Sequence, residues 1–163
     1  MPRLINTHPF RPRIDLDGVW DCQSASGRAA PPRSGWQQRI ALPGPWPAAG
    51  RALWLRRRFW VLGGGTYTLR VALGDVGRAT RAWLDGRELG AWHGPWTPGD
   101  GVIDDVAHGE HELVLHVEPA TGAGIGGSIY AEKLLGAAIV EAEAVPVRGR
   151  SGWALDCAVR VRP

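Results

Sequence analysis

Tyr67-Thr68-Leu69-Arg70-Val71-Ala72-Leu73 carries an apolar side chain at every second position, at 67, 69, 71 and 73. A period of two sends those side chains to one face of a strand, as antiparallel sheets with one solvated face require. Outward from this stretch the pattern recurs in His111 to Val117 (HELVLHV) and in Leu155 to Val161 (LDCAVRV). Turn signals punctuate the runs at Gly63-Gly64-Gly65, Asp85-Gly86, His108-Gly109 and Arg148-Gly149. Asp85-Gly86, between Ala82-Trp83-Leu84 and Arg87-Glu88-Leu89, predicts a tight hairpin, because a type I′ turn needs positive φ at both central residues. Short strands at this spacing predict a sandwich or barrel. Helical signal is scarce, and its best candidate is Ser128 to Leu135, after a glycine cluster. Residues 24–35, small and polar, read as a surface loop.

The chain has 163 residues, which fits one β-sandwich domain over 1–163. Hydrophobic content of 44% and charged content of 21% are globular rather than disordered. The 23 glycines and 13 prolines follow no fixed period, which suits many tight turns rather than a repeat. Net charge is +3, with basic residues dispersed among 16 acids; a nucleic-acid binder gathers its cations into a stripe, so none is expected as partner. No apolar run approaches the ~20 residues that span a bilayer, so no membrane partner is expected. The start, MPRLINTHPFRPRIDLDG, has no apolar signal region, and a cytoplasmic location with reduced Cys22 and Cys157 is the expectation. Both cysteines read as small buried apolar residues rather than nucleophiles.

Ordered landmarks over residues 14–130 resemble the sugar-binding domain of family 2 glycoside hydrolases. Leu16-Asp-Gly-Val-Trp20-Asp is similar to that family's opening "LDG-W" strand, and Leu42-Pro-Gly-Pro-Trp46 to its "VPGSW" turn. Trp54-Leu-Arg-Arg-Arg-Phe59 resembles "WYRRRF", with leucine at the tyrosine. Gly74 to Ala79 followed by Ala82-Trp-Leu-Asp-Gly86 resembles "GV…A.VWLNG", with Asp85 replacing the asparagine. Glu88-Leu-Gly90, His93-Gly-Pro-Trp-Thr-Pro98, Asp104-Asp-Val106 with Gly109 to Val117, and Gly124-Ile125 through Ile129 are similar to the segments that follow. The resemblance implies an all-β fold, a jelly-roll β-sandwich of the galactose-binding-domain-like type. The family's two catalytic glutamates lie on a separate barrel of about 250 residues. Retaining glycosidases need two carboxyl groups about 5–5.5 Å apart, and the resemblance supplies neither member of such a pair here.

Nine tryptophans are the most informative feature of the composition. Trp20 and Trp83, in alternating strands, read as core. Trp46 and Trp54 flank the loop 47–52, and Trp92 and Trp96 flank His93-Gly94-Pro95. Indole faces stack on the apolar C–H faces of sugars while a nearby Arg or His bonds hydroxyls. The expected ligand-binding set is therefore Trp46, Arg51, Trp54, Trp92, His93 and Trp96, and no catalytic residue is expected. By resemblance, the loop after the PGPW turn faces the active site of the family's barrel. The alternative is that these indoles fasten loops to the sandwich.

Gly122-Ala-Gly124-Ile-Gly-Gly127 matches GxGxxG, with Glu141 and Glu143 downstream. The preceding strand alternates and no second βαβ unit exists, which argues against a dinucleotide site. His111 and His116 lie an odd number apart and so face opposite ways on a strand; with Asp104, Asp105 and His108 they lack metal-site spacing. No cofactor and no metal is expected. Of Arg56-Arg57-Arg58, alternation makes Arg57 the paired or partly buried one and gives its neighbours a solvated face.

Three functions follow in order: a noncatalytic carbohydrate-recognition or accessory module; a repurposed sandwich serving as a small-molecule-binding protein or small biosynthetic enzyme; and a structural partner subunit of a separate glycosidase barrel. In the last, Ala137 to Val147 and Trp153 to Val161 supply an interface or a homo-oligomer contact. A closed pocket with a convergent His93, Asp105 or Glu132 would favour the second.

Overall fold

The computed structural model describes residues 11–25, 30–47, 50–75, 77–120, 125–149 and 152–162. Ten strands and no helix occur among them: β1 (Arg13–Asp15), β2 (Gly18–Ser24), β3 (Gln38–Leu42), β4 (Leu53–Leu73), β5 (Ala79–Leu84), β6 (Arg87–His93), β7 (Gly99–Glu118), β8 (Ile129–Leu134), β9 (Ala138–Gly149) and β10 (Gly152–Arg162). All pairings are antiparallel. The all-β architecture expected from the alternation is what the chain adopts.

β4 and β7 are the spine. They pair along nearly their whole length, Leu53↔Val117 to Leu73↔Gly99, with register breaks between Val61 and Thr66 and between Tyr67 and Leu69. On one side of the breaks β2 and β3 extend the sheet beyond β4, and β5 and β6 extend it beyond β7. On the other side, β8 and then β1 continue from β4. The two halves enclose one core, in which Leu55 and Leu113 from the first half meet Leu69, Ile103 and Ile129 from the second. Each such buried side chain contributes about 1.5–3 kcal/mol relative to exposure.

Gly63-Gly64-Gly65 and His108-Gly109 therefore mark a bend in continuous strands, not turns. Each strand keeps hydrogen-bonded neighbours across the bulge, so the ladder resumes after the interruption. The helical reading of Ser128 to Leu135 is also corrected, because Ile129–Leu134 is a strand bonded to β4 and β1. Two open edges claimed a segment with little helical amphipathicity of its own. Asp85 and Gly86 make the expected hairpin, at φ 50° and 78°.

Trp20 is fully buried and its indole N–H donates to the Leu16 carbonyl at 2.9 Å, so the polar end of the ring is satisfied in the core. On the outer face of the first half, Trp54, Trp83 and Val114 form a second cluster with Trp36 and Ala25 packed on it. The helix-free segment after Gly124 gives the GxGxxG stretch no helix N-terminus to place a phosphate on; residues 121–124 lie outside the described set, as do 26–29 of the 24–35 loop. No helix of the described residues is long and apolar enough to cross a membrane.

Candidate ligand-binding cleft

β2 is bonded to β3 on one edge through Cys22↔Gln38 and to β4 on the other through Ser24↔Leu53. Beyond Cys22 the β3 side opens, because β3 begins at Gln38 and residues 34–37 cross the mouth. Gln23 donates through Nε2 to the Ser34 carbonyl at 3.2 Å and braces that segment. Gly35 sits against it at φ 95°, where a Cβ would stand 2.7 Å from Gln23 Oε1. After β3 the Pro43-Gly44 turn is tied down by Gly44 N–H donating to the Ile125 carbonyl at 3.2 Å. The chain then returns to β4, and Trp46 Nε1–H donates to the Arg51 carbonyl at 2.9 Å, closing the 46–51 loop. Ala25 N–H to the Ala52 carbonyl, at 3.1 Å, joins the two strand ends.

These elements enclose an open-mouthed cleft of about 740 Å³ lined by Gln23, Ser24, Gln37, Gln38 and Arg51, with Cys22, Leu53, Pro47 and Gly35 as its apolar part. Amides and a hydroxyl offer both donors and acceptors, and the guanidinium offers a fork of donors. That set can hydrogen-bond a ligand rich in hydroxyls. Burial pushes the Cys22 thiol up, with the nearby Asp21 charge adding to it, so the thiol is protonated and no nucleophile at neutral pH. No carboxylate is among the described lining residues.

The six expected ligand residues are divided by the structure. Trp46 is half-buried, packed on the main core, and Arg51 is exposed at the cleft. Trp54 is 1% exposed, on the opposite face of β4, with Trp83 at 5.4 Å and His116 at 4.7 Å between ring centres. Buried to that degree, the indole offers no platform to a ligand. Trp92 is half-buried against the core at the end of β6, and His93 is exposed. Trp96 is 74% exposed; its backbone N–H donates to Asp75 Oδ1 at 3.1 Å, and Gly77 N–H donates to the same oxygen at 3.0 Å. A Cβ at Gly126 would lie 4.0 Å from the Trp96 ring. Ile125-Gly126 thus lies between the Trp46 loop and the Trp96 loop.

Gln23, Ser24, Gln37 and Gln38 escaped the sequence reading. Their one visible mark is polarity at the ends of β2 and β3, which any solvated strand end shares. Two further expectations need correction. Cys157 is exposed rather than buried, while Cys22 is buried, and both are free. Arg57 is half-buried as expected, but of its two neighbours only Arg58 keeps a solvated face, where it pairs with Glu112 at 3.2 Å; Arg56 bonds Asp21 Oδ2 at 2.7 Å and stacks over Trp36 at 4.6 Å. Arg57 points inward and donates to the Val19 carbonyl. Glu132, 2% exposed, is engaged by Arg13 at 2.7 Å and Arg70 at 3.4 Å. No metal-ligating cluster exists among the described residues.

Neither a family model nor a curated protein matches the sequence. Solved structures do. A GH2 β-galacturonidase from Eisenbergiella tayi bound to glycerol matches with a TM-score of 0.70 at 19% identity, over 99% of this chain and 31% of that one. This chain shares its fold with part of a GH2 enzyme. A β-glucuronidase from an uncultured Clostridium species matches at 0.70 and 13% identity, over 100% of this chain and 36% of the other. A Ruminococcus gnavus β-glucuronidase in complex with a C6-substituted uronic isofagomine gives 0.70 and 13%, over 96% and 35%. The chain spans about a third of the length of these structures, and at such identities the likeness is one of fold.

Proposed function

We propose that the chain is a noncatalytic carbohydrate-recognition module that holds a sugar in the cleft between the ends of β2 and β4. The observation that carries this reading is the lining itself: among the described residues, neutral amides, the Ser24 hydroxyl and the Arg51 guanidinium around an apolar floor, with no carboxylate. Sugars present hydroxyls that both donate and accept, and apolar C–H faces that suit Leu53 and Pro47. Trp46 holds the loop that delivers Arg51, so it is a positioning residue. Trp96 and His93, exposed at the neighbouring loop, extend the surface available to a longer saccharide. The fold shared with a β-galacturonidase and a β-glucuronidase supports a sugar as the ligand class.

Titration calorimetry against a broad panel of mono- and oligosaccharides tests the reading. A binder is expected, and Arg51→Ala is expected to weaken it about tenfold or more, since a hydrogen bond to a charged group contributes ~1.5–3 kcal/mol. Trp54→Phe should leave affinity unchanged, because that ring is buried against Trp83 and His116 and is not among the described residues that line the cleft. No heat with any sugar, or equal affinity in Arg51→Ala, removes the proposal. A second reading, an accessory subunit for a separate glycosidase barrel, draws support from the coverage of about a third of much longer enzymes.

A further inference from the structure

β9 and β10 form a two-stranded sheet of their own, bonded to no other strand among the described residues. Every described side chain on it is exposed. The register pairs Trp153 with Arg148, Leu155 with Pro146, Cys157 with Ala144 and Val159 with Ala142. Directly opposed residues share a face, so one side of the hairpin carries these apolar pairs and, beyond a bulge, Val161 with Ile139. Its β10 members stand open to solvent: Trp153 is 74% exposed, Leu155 67%, Val159 53% and Val161 55%. The other face is mixed, with Val145, Val147, Ala154 and Ala158 beside Asp156, Glu143 and the Arg160–Glu141 ion pair at 3.1 Å. An isolated two-stranded hairpin is marginal in water, and an open apolar face this long marks an interaction surface.

We propose that this face pairs with the same face of a second copy of the chain, sheet on sheet about a twofold axis. Area, charge and symmetry all favour that occupant. A strand of 11 residues is about 36 Å long and the pair about 10 Å wide. With the relief of its side chains such a face offers roughly 600 Å² per copy, so two copies bury about 1,200 Å², where specific interfaces begin. Arg148, at the turn end, is the one charge among the paired residues of this face. A twofold axis across the middle of β10 carries each Arg148 to the opposite end of its mate, so like charges stay apart. The same axis sets Leu155 over the partner's Val159 and Trp153 over the partner's Val161, large against small. Cys157, the middle residue of β10, falls opposite its own symmetry copy. This inference is independent of the sugar-binding reading.

Light scattering on the intact chain over a concentration series tests it. A mass of about 35 kDa, twice the 17.6 kDa of one chain, is expected at tens of micromolar or above, dissociating on dilution. The double variant Leu155→Lys, Val159→Lys is expected to run as one chain with an unchanged far-ultraviolet spectrum. Dibromobimane, which bridges two neighbouring thiols and fluoresces once both have reacted, should yield a fluorescent two-chain band. That band should vanish in Cys157→Ser while the dimer mass persists. A one-chain mass at every concentration overturns the proposal and leaves the face to a different protein. A dimer that survives the double lysine variant undiminished overturns it as well, since the contact would then lie elsewhere.

Discussion

His111 and His116 stand five residues apart on β7 and meet opposite environments. His111 turns toward Phe59 and bonds Asp85 Oδ2 at 2.6 Å and the Ala107 carbonyl at 2.8 Å. His116 turns outward against Trp54, and burial holds its imidazole below the ordinary value of 6.5; Glu118 acts against that shift and Arg81 with it. The unfolded chain then binds more protons than the folded one between the lowered value and 6.5. His116 therefore contributes its full stability above pH about 6.5 and loses it as pH falls toward the folded value. Asp21, held below 3.8 chiefly by its hydrogen bond from Arg56, stays ionised over that range and adds no slope. Thermal unfolding should begin at lower temperature at pH 5 than at pH 7, and the difference should shrink in His116→Gln. Equal differences in the two proteins would show that His116 is not the group responsible. The opposite orientation of these two histidines was legible in their odd spacing. What each would touch was not, because Trp54 and Phe59 reach them from a different strand.

At the scale of elements, the close approach of the β4 end to the β8 start is the most constrained contact. Gly74 N–H donates to the Ser128 carbonyl at 3.0 Å, and a Cβ at Gly127 would stand 2.5 Å from the Gly74 Cα and carbonyl carbon. Backbone cannot yield as a flexible side chain does. Gly127→Ala is expected to destabilise the fold by about 1–3 kcal/mol, read as a lower denaturant midpoint at unchanged slope. An unaltered midpoint would mean that the two segments separate freely. Element boundaries divided along the same line of reasoning. The Asp85-Gly86 hairpin was readable because two adjacent residues encode both positive φ angles. The glycines at 63–65 carried an equally strong local turn signal and form a bend, since the ladder with β7 continues past them. Local chemistry permits a turn there; partners from across the chain decide that none forms.

For the molecule as a whole, one core is closed by the spine strands while the β9–β10 hairpin stands apart in its hydrogen bonding. A chain ending at Gly136 should therefore unfold cooperatively, with a midpoint within about 4 °C of the intact protein measured at high dilution. A far larger drop, or loss of cooperativity, would show that the hairpin belongs to the folding unit. The sequence by itself determined the all-β class, the buried faces of Tyr67 to Leu73 and of His111 to Val117, and the placement of Trp20 and Trp83 in packed interiors, whereas the alternating face of Leu155 to Val161 is exposed rather than set on the core. It did so because period two and bulky apolar residues act locally and need no knowledge of partners. Only the tertiary structure decided that Gln23, Gln38 and Arg51 border one cleft, that Trp54 is buried and that Cys157 is exposed. Those outcomes depend on which strands meet and in what register, and residues far apart in sequence set that together.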